Sequence, residues 1–200
     1  MIEIKIIGSI DFKQAMFAMR NSYSNWGNND STNNQIGNND LTLLKKLVKA
    51  GDSHSKCLRM VWVTMDITAP LYWWKQFDTY KVGVNCISTS TMHTITKKQF
   101  IIDDFSHEHL LKEAIECSLN RTIEDLNSAR ELFLETNDKI YWLQIIQLLP
   151  SSYNQMRTVQ LNYQTILNII KQRKGHKLDE WNDFIEEMYK LPYIKELSEV

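Results

Sequence analysis

The chain has few of the residues that mark linkers, disulfide frameworks or highly charged binding proteins. Its 200 residues include three prolines, six glycines and three cysteines, and the formal net charge is −1. So little proline and glycine leaves little material for an interdomain linker, and we expect a single domain over residues 1–200. The near-zero charge gives no electrostatic reason to expect a nucleic acid or an anionic membrane as a partner.

The sequence also lacks long apolar runs and paired cysteines. No apolar run approaches the roughly 20 residues of a membrane span, and the start has no signal-peptide pattern. The cysteines Cys57, Cys86 and Cys117 are odd in number and scattered, without the spacing of metal ligands. These absences predict a reduced, cytoplasmic protein with no metal site.

What is present is a mixture of strand and helix patterns. Residues 60–67 alternate, so that Val61, Val63 and Met65 share one strand face. Pro70 suits the first turn of the helix that follows. The patterns predict an α+β fold with a small, mostly antiparallel sheet. Further strands are predicted over residues 2–7 and 91–102. Helices are predicted over residues 11–23, 139–149, 155–174 and 179–190, with one or two more over residues 106–137.

One segment differs in composition from the rest of the chain. Residues 25–40, NWGNNDSTNNQIGNND, are so rich in Asn and Gly that they predict a flexible loop. Asp40, at the end of this segment, is predicted to cap a short helix that Gly51 ends.

The common catalytic motifs are missing, because the chain has no P-loop, no Gly-rich dinucleotide fingerprint and no HExxH. Cys86 and Cys117 are isolated thiols, which are more typical of small buried hydrophobes than of nucleophiles. His107 and His109 are two residues apart and therefore do not share a helix face, which argues against a metal pair.

Two groups of polar residues remain as candidate sites. Asn162, Asn168 and Arg173 project from roughly one side of the predicted helix over residues 161–174, where they suit a planar, oxygen-rich ligand or simply form a polar outer face. The second group follows a tryptophan-rich helix and suits a phosphate or a pyrimidine edge, or equally a polar turn beside a core helix. Its members are Gln76, Lys81, Asn85, Ser88 and Ser90.

The order of these pieces resembles the flavin-dependent thymidylate synthase family along nearly the whole chain. In that family a strand leads through a helix to Arg-His-Arg and then to Asn-Glu-x-Ser-x-Arg. Here VWVTMDI leads through APLYWWKQF to Thr79-Tyr80-Lys81 and then to NCISTS, residues 85–90. AMRNSYS, residues 18–24, resembles the family's Ala-Arg-x-Ser and places Ser22 on its Ser.

The C-terminal part carries the more specific resemblance. LLPSSYNQMRTVQLNYQTILNIIKQR matches the family segment without a gap, which places Asn162, Asn168 and Arg173 on its Asn, Asn and terminal Arg. The resemblance implies that Arg173 is catalytic and binds substrate with Gln76, Lys81, Ser88 and Ser90. It implies that the flavin is bound by Ser22, Thr79, Tyr80, Lys81, Asn162 and Asn168.

Several charged positions of the family pattern are replaced. Thr79-Tyr80-Lys81 stands for Arg-His-Arg, and Cys86 and Ser90 stand for the Glu and the final Arg. Ile146 occupies the position of an Arg that contacts phosphate in the family. Each charge-assisted bond to phosphate contributes about 1.5–3 kcal/mol, so these losses predict weaker dUMP binding unless Lys75, Lys81 or Arg157 compensates.

The resemblance implies a methyltransferase that converts dUMP to dTMP. Methylenetetrahydrofolate supplies the carbon, NADPH reduces FAD, and the reduced flavin delivers hydride without attack by an enzyme cysteine. The family builds its sites between the subunits of a homotetramer, which implies that Lys81 and Arg173 come from different chains. Two other hypotheses are a non-catalytic flavin- or nucleotide-binding protein and a purely structural oligomer.

Overall fold

The computed structural model describes residues 2–200, which form strands and helices in mixed order. The strands are β1 (Glu3–Ile7), β2 (Trp62–Pro70), β3 (Val84–Ser88) and β4 (Asn154–Asn162). The helices are α1 (Lys13–Met19), α2 (Asn38–Ala50), α3 (Leu71–Phe77), α4 (Thr91–Thr94), α5 (Lys112–Ala114), α6 (Asn120–Thr136), α7 (Lys139–Leu148), α8 (Tyr163–Arg173), α9 (Asp179–Tyr189) and α10 (Ile194–Ser198). Single 3₁₀ turns join several of them, and a π-helical turn, Ile115–Leu119, connects α5 to α6.

The four strands form one sheet in the order β1-β2-β4-β3. The backbone N–H of Tyr163 donates to the carbonyl of Val61 at one end of the β2–β4 pair, and that of Leu71 donates to Tyr153 at the other. The start of β2 therefore lies beside the end of β4, and the end of β2 beside the start of β4, so the two strands are antiparallel. These strands and helices confirm the predicted α+β class.

The two faces of β2 have different surroundings. Val63, Met65 and Ile67 are buried, whereas Thr64 and Asp66 are only half-buried. Because successive side chains of a strand point to opposite faces, the alternation in the sequence specified this orientation correctly. Across the half-buried face, the hydroxyl of Thr158 on β4 donates to the Asp66 carboxylate at 2.6 Å.

The chain divides into two compact units. The first unit contains residues 2–3, 68–79 and 88–157, and the second contains residues 4–67, 80–87 and 158–200. In the first unit, α6 packs on α7 around a buried apolar cluster. That cluster consists of Ile95, Phe100, Phe105, Leu119, Leu126, Ala129 and Ile145.

The second unit has its own buried aromatic contacts. The ring of Phe12 meets the edges of Tyr163 and Tyr193 at centroid distances of 5.6 and 5.4 Å. Burial raises the pKa of Tyr163, whose hydroxyl donates to the carbonyl of Pro192 at 2.9 Å. Helix α8 packs against both α9 and α10.

Three predicted elements are wrong. Residues 91–102 are not a strand: they begin with the short helix α4, and the strand of this region is β3, over residues predicted as a loop. Residues 155–162 belong to β4 rather than to a long helix. Pro70 ends β2 and caps α3 instead of lying in its first turn. In the first two cases the pairing of β3 with β4, which lies outside the local pattern, decided the outcome.

The Asn-rich segment is anchored by two carboxylates. The prediction that Asp40 caps α2 is wrong. The backbone N–H groups of Asn39 and Asp40 donate instead to the side chain of Asp30. The buried Asp40 instead accepts hydrogen bonds from Arg20 at 2.6 Å and from Ser31 at 2.6 Å. The predicted end of α2 at Gly51 is confirmed. The flexibility of residues 25–40 and the single domain over residues 1–200 stay predictions.

No helix among residues 2–200 combines the length and apolar composition needed to cross a membrane.

Candidate functional site

Arg173 lies in the last turn of α8, in the second unit, with its side chain half-buried. Its Nε donates a hydrogen bond to the hydroxyl of Tyr80 at 2.8 Å. The guanidinium carbon lies 4.6 Å from the ring centroid of Trp181 and 5.5 Å from that of Tyr80. Trp181 is itself buried and meets Tyr80 edge to face at 6.0 Å. Two aromatic rings and one hydrogen bond therefore hold the guanidinium in one orientation.

Asn162 occupies the N-cap position of α8. Its side-chain oxygen accepts a hydrogen bond from the backbone N–H of Thr165 at 2.9 Å and another from the Thr165 hydroxyl at 3.1 Å. The backbone of Asn162 donates to the carbonyl of Gly83 at 3.3 Å. The amide is only 5% exposed, so part of its hydrogen-bonding capacity serves the helix start rather than a ligand.

The other predicted residues of the second unit lie in three places. Asn168 is half-buried on α8, and Lys81 is exposed just after Tyr80. Ser22 is exposed in the 3₁₀ turn Asn21–Tyr23 and lines a cleft of about 690 Å³. The structure thus brings Tyr80 and Arg173 into contact, which their spacing along the chain did not predict.

The first unit holds the remaining four predicted residues. Gln76 is half-buried on α3, and its carbonyl accepts a hydrogen bond from the hydroxyl of Thr79 at 2.7 Å. Ser88 is the exposed last residue of β3. Ser90 is the N-cap of α4, and its carbonyl accepts from the Thr94 hydroxyl at 2.7 Å.

Arg157, which the sequence named only as a substitute cation, is the centre of a network in the first unit. Its guanidinium contacts the Asp78 carboxylate at 2.8 Å and the side-chain oxygen of Gln155 at 3.0 Å, and it lies 4.3 Å from the ring centroid of Trp74. The amide nitrogen of Gln155 in turn donates to the carbonyl of Thr89 at 2.9 Å. The network therefore ties the segment between Ser88 and Ser90 to β4.

The structure also explains what Ile146 does. Its side chain packs against the buried cluster of the first unit. An arginine at position 146 would place a charged side chain against this apolar cluster. Ile146 therefore contributes to packing of the core. Within residues 2–200, no group of His, Cys, Asp or Glu side chains is arranged to hold a metal ion.

The cysteines differ in their surroundings. Cys57 is buried, and burial raises the pKa of its thiol to about 11. Cys86 and Cys117 are exposed and unpaired by disulfides. Since the thiolate is the reactive form, Cys57 is inert near neutral pH.

Comparison with known proteins identifies the family of the chain. The family described as thymidylate synthase complementing protein matches residues 7–193, which include every predicted site residue. The chain belongs to that family. No curated protein matches it in sequence.

Solved structures show the same fold at low sequence identity. Thymidylate synthase X from Helicobacter pylori, crystallised with FAD and dUMP, superposes with a TM-score of 0.70 at 18% identity, covering 97% of this chain and 95% of that one. A second structure of the H. pylori flavin-dependent enzyme, also with FAD and dUMP, gives 0.70 at 17% identity, covering 94% and 92%. The UMP/dUMP methylase PolB from Streptomyces cacaoi, bound with 5-Br dUMP, gives 0.61 at 14%, covering 85% and 76%.

Proposed function

We propose that this member of the thymidylate synthase complementing protein family is a flavin-dependent thymidylate synthase. It converts dUMP to dTMP in the cytoplasm, with methylenetetrahydrofolate as carbon donor and FAD and NADPH as the source of reducing equivalents. The observation that carries the proposal is the guanidinium of Arg173, held against Trp181 and hydrogen-bonded to Tyr80. The H. pylori structures with this fold contain FAD and dUMP, which supports the choice of ligands.

The role proposed for Arg173 is electrostatic. A guanidinium whose orientation is set in advance stabilises negative charge that develops on a pyrimidine carbonyl, and it needs no reorganisation during the reaction. FAD, when bound and reduced, supplies the hydride. The substrate is positioned by Gln76, Lys81, Ser88 and Ser90, and the flavin by Ser22, Thr79, Tyr80, Lys81, Asn162 and Asn168.

The residues near Ser22 are compatible with a flavin cofactor. The cleft lined by Ser22 has about 690 Å³, within the range of roughly 300–1,000 Å³ typical of ligand pockets, and no carboxylate lines it. Its lining includes Met19, Leu43, Leu47 and Met60, whose apolar side chains suit a flavin or adenine ring. The residues present therefore fit FAD.

Phosphate binding differs from the family pattern. Arg157 is the only guanidinium in the Asp78–Gln155 network, and the Asp78 carboxylate offsets its charge. The exposed Lys81 is then the cation we assign to the dUMP phosphate. In a homotetramer with shared sites, this lysine and Arg173 come from different chains.

A second candidate is a non-catalytic protein that binds a flavin or a nucleotide on the same fold. It is favoured by the loss of charge at Thr79, Cys86 and Ser90. The two candidates share ligands and differ in turnover.

Growth of a thymidine-requiring bacterial strain that carries the gene separates the two. The enzyme supports growth without thymidine, and the purified protein then forms dTMP from dUMP; UMP is tested in parallel. FAD added in excess raises the melting temperature in either case, because the ligand binds only the folded state. No growth together with stabilisation by FAD or dUMP would leave the binding protein as the function, and no stabilisation by either ligand would exclude both.

A further inference from the structure

The guanidinium of Arg157 is held mainly by buried groups of the first unit. Trp74 and Gln155 are both buried, and the indole N–H of Trp74 donates to the backbone carbonyl of Gln155 at 2.9 Å. The side chain of Gln155 is fixed in turn by the hydrogen bond that it donates to the carbonyl of Thr89. The ring of Trp74 and the amide oxygen of Gln155 therefore keep the guanidinium in place independently of Asp78.

Asp78 differs from the other partners of Arg157 in its exposure. Its side chain is 46% exposed, whereas that of Arg157 is 15% exposed. It is the C-cap residue of α3, so the carboxylate lies at the end of that helix. An ion pair with one partner this accessible adds little to folding stability, because water competes for the carboxylate. Asp78 is therefore the contact of Arg157 that another anion exchanges most readily.

Donors remain beside Asp78 for a larger anion. A guanidinium has five N–H groups, and within residues 2–200 Arg157 uses one on Gln155 and one on Asp78. Lys75 lies three residues before Asp78, so the two side chains are neighbours at the end of α3. Lys75 is exposed and makes no ion pair with any residue that the structure describes. A phosphate, with its greater charge and three acceptor oxygens, matches one guanidinium and one ammonium better than a single carboxylate does.

We propose that Asp78 is an internal substitute for a phosphate. Its carboxylate occupies Arg157 in the free protein and is displaced when a phosphate ion or a phosphate monoester binds to Arg157 and Lys75. The exchange replaces one ionic contact by another and forms no covalent bond. The inference rests on the proposed function only where it names dUMP as the monoester. It adds a competing carboxylate, so this chain binds phosphate more weakly than its cations alone would allow.

Calorimetric titration of the full-length protein, with FAD present, measures the affinities for dUMP, inorganic phosphate and deoxyuridine. Asp78→Asn keeps the shape of the side chain and removes its charge. We expect dUMP and phosphate to bind about fivefold more tightly, the size of a partly exposed ion pair, and deoxyuridine to bind as in the wild type. The matched control is Asp125→Asn, which removes the same charge from the exposed Arg121–Asp125 pair on α6.

Arg157→Gln tests the cation beneath the carboxylate. It is expected to weaken dUMP and phosphate about tenfold, the size of one charge-assisted hydrogen bond. Adding Asp78→Asn to Arg157→Gln should then give no further gain, because the two residues act on the same anion. A gain of affinity in Asp78→Asn alone does not arise from damage to the fold, so this variant decides the test.

The proposal is overturned if dUMP and phosphate bind Asp78→Asn no more tightly than Asp125→Asn, if neither binds at all, or if deoxyuridine gains by the same factor. A gain for phosphate alone assigns the site to the free ion, and a gain for both includes the nucleotide. A protein that makes no dTMP but shows the gain keeps the exchange at Arg157 and loses the proposed function. A protein that makes dTMP without the gain keeps the function and loses the exchange.

Discussion

At the scale of single residues, Arg173 depends on two partners that are distant in sequence. Tyr80 supplies a hydrogen bond and Trp181 a ring face, and each comes from a different part of the second unit. The sequence singled out Arg173 through its spacing and through the resemblance, and Tyr80 through the resemblance alone. The resemblance assigned them to substrate and flavin respectively. The contact between them gives Tyr80 a second role as the residue that orients the guanidinium.

Replacement of Arg173 is the most direct test of catalysis. Arg173→Ala removes the charge that matters most in the transition state, and we expect a loss on the order of 10²-fold or more in the rate of dTMP formation. Arg173→Lys should not restore the rate, because an ammonium does not present two parallel donors to a planar uracil edge. The assay is dTMP formation with FAD binding measured in parallel. Growth of the thymidine-requiring strain on Arg173→Ala would place the active site elsewhere.

Tyr80→Phe tests the orienting role. The substitution keeps the ring and removes only the hydroxyl that accepts from Nε of Arg173. A hydrogen bond to a charged group contributes about 1.5–3 kcal/mol, so we expect kcat to fall roughly 10- to 100-fold, with a smaller change in KM. Tyr141→Phe, on α7 in the first unit, is the control. If Tyr80→Phe lowers only FAD affinity and leaves kcat intact, Tyr80 acts on the cofactor and not through Arg173.

At the scale of elements, the start of α8 and the turn before β3 form one junction. Gly83 has a φ of +70°, and a Cβ there would lie 2.1 Å from the side-chain nitrogen of Asn162. The Thr165 hydroxyl also donates to the carbonyl of Val82 at 2.9 Å. The N-cap of α8 is thus built against the backbone of the turn, which only a residue without a side chain allows.

Gly83→Ala is therefore expected to destabilise the protein by roughly 1–3 kcal/mol, because it combines backbone strain with displacement of the Asn162 cap. Gly27→Ala is the matched control, since Gly27 has no atom within 4 Å of a Cβ position and no positive φ. The free energies of unfolding are compared in urea. Equal values for the two variants would show that the turn adapts without disturbing α8.

The start of α2 gives a pH-dependent prediction. The N–H of Asn39, together with that of Asp40, donates to the Asp30 carboxylate and holds the pKa of Asp30 below its ordinary value of 3.8. Because the pKa of Asp30 is lower in the folded protein, its ionised carboxylate adds to the free energy of unfolding. This contribution is fully present above pH 3.8 and is lost as the pH falls through the pKa of Asp30 in the folded protein. Asp30→Asn should thus be less stable than wild type at neutral pH.

That difference should close as the pH falls from 3.8 through the lower folded-state pKa of Asp30, because below that pKa both proteins carry a neutral side chain at position 30. Urea unfolding at a series of pH values measures it. Asp183→Asn, an exposed carboxylate on α9, supplies the control for a general effect of net charge. If Asp30→Asn stays less stable than wild type by the same amount in acid, the shape of the Asp30 side chain rather than its charge supports α2.

At the scale of the whole molecule, some apolar surface lacks a covering partner in the isolated chain. Trp73 and Trp74 are fully buried within the chain itself and do not belong to this surface. Among the exposed large apolar residues, several lie on the α6–α7 pair. They are Leu132, Leu134, Ile140, Leu143 and Leu148. Exposed apolar side chains such as these suit contacts between copies of the chain.

We therefore expect light scattering to show a homotetramer. Leu134 is 56% and Ile140 58% exposed, so Leu134→Lys combined with Ile140→Lys should leave the fold intact and yield a smaller species. Circular dichroism provides the check on folding. A wild-type protein that stays monomeric at high concentration would remove the basis for sites shared between chains.

Local sequence patterns determined the elements whose stability is largely local. The alternation in β2 predicted its buried face, the helices ending at Thr136 and Tyr189 followed from apolar periodicity, and Gly51 marked the end of α2. In a strand or helix, the spacing of apolar residues along the sequence matches the number of residues per repeat of the element, so the local sequence is sufficient to predict it.

Tertiary structure decided what depends on partners far along the chain. Strand β3 exists because β4 supplies its hydrogen bonds, Asp30 caps a helix that begins beyond the Asn-rich segment, and Asp40 is buried because Arg20 compensates its charge. The contact of Arg173 with Tyr80 joins residues 93 positions apart in the sequence. Such pairings follow from packing, which no local window of sequence contains, and they set the geometry of the candidate site.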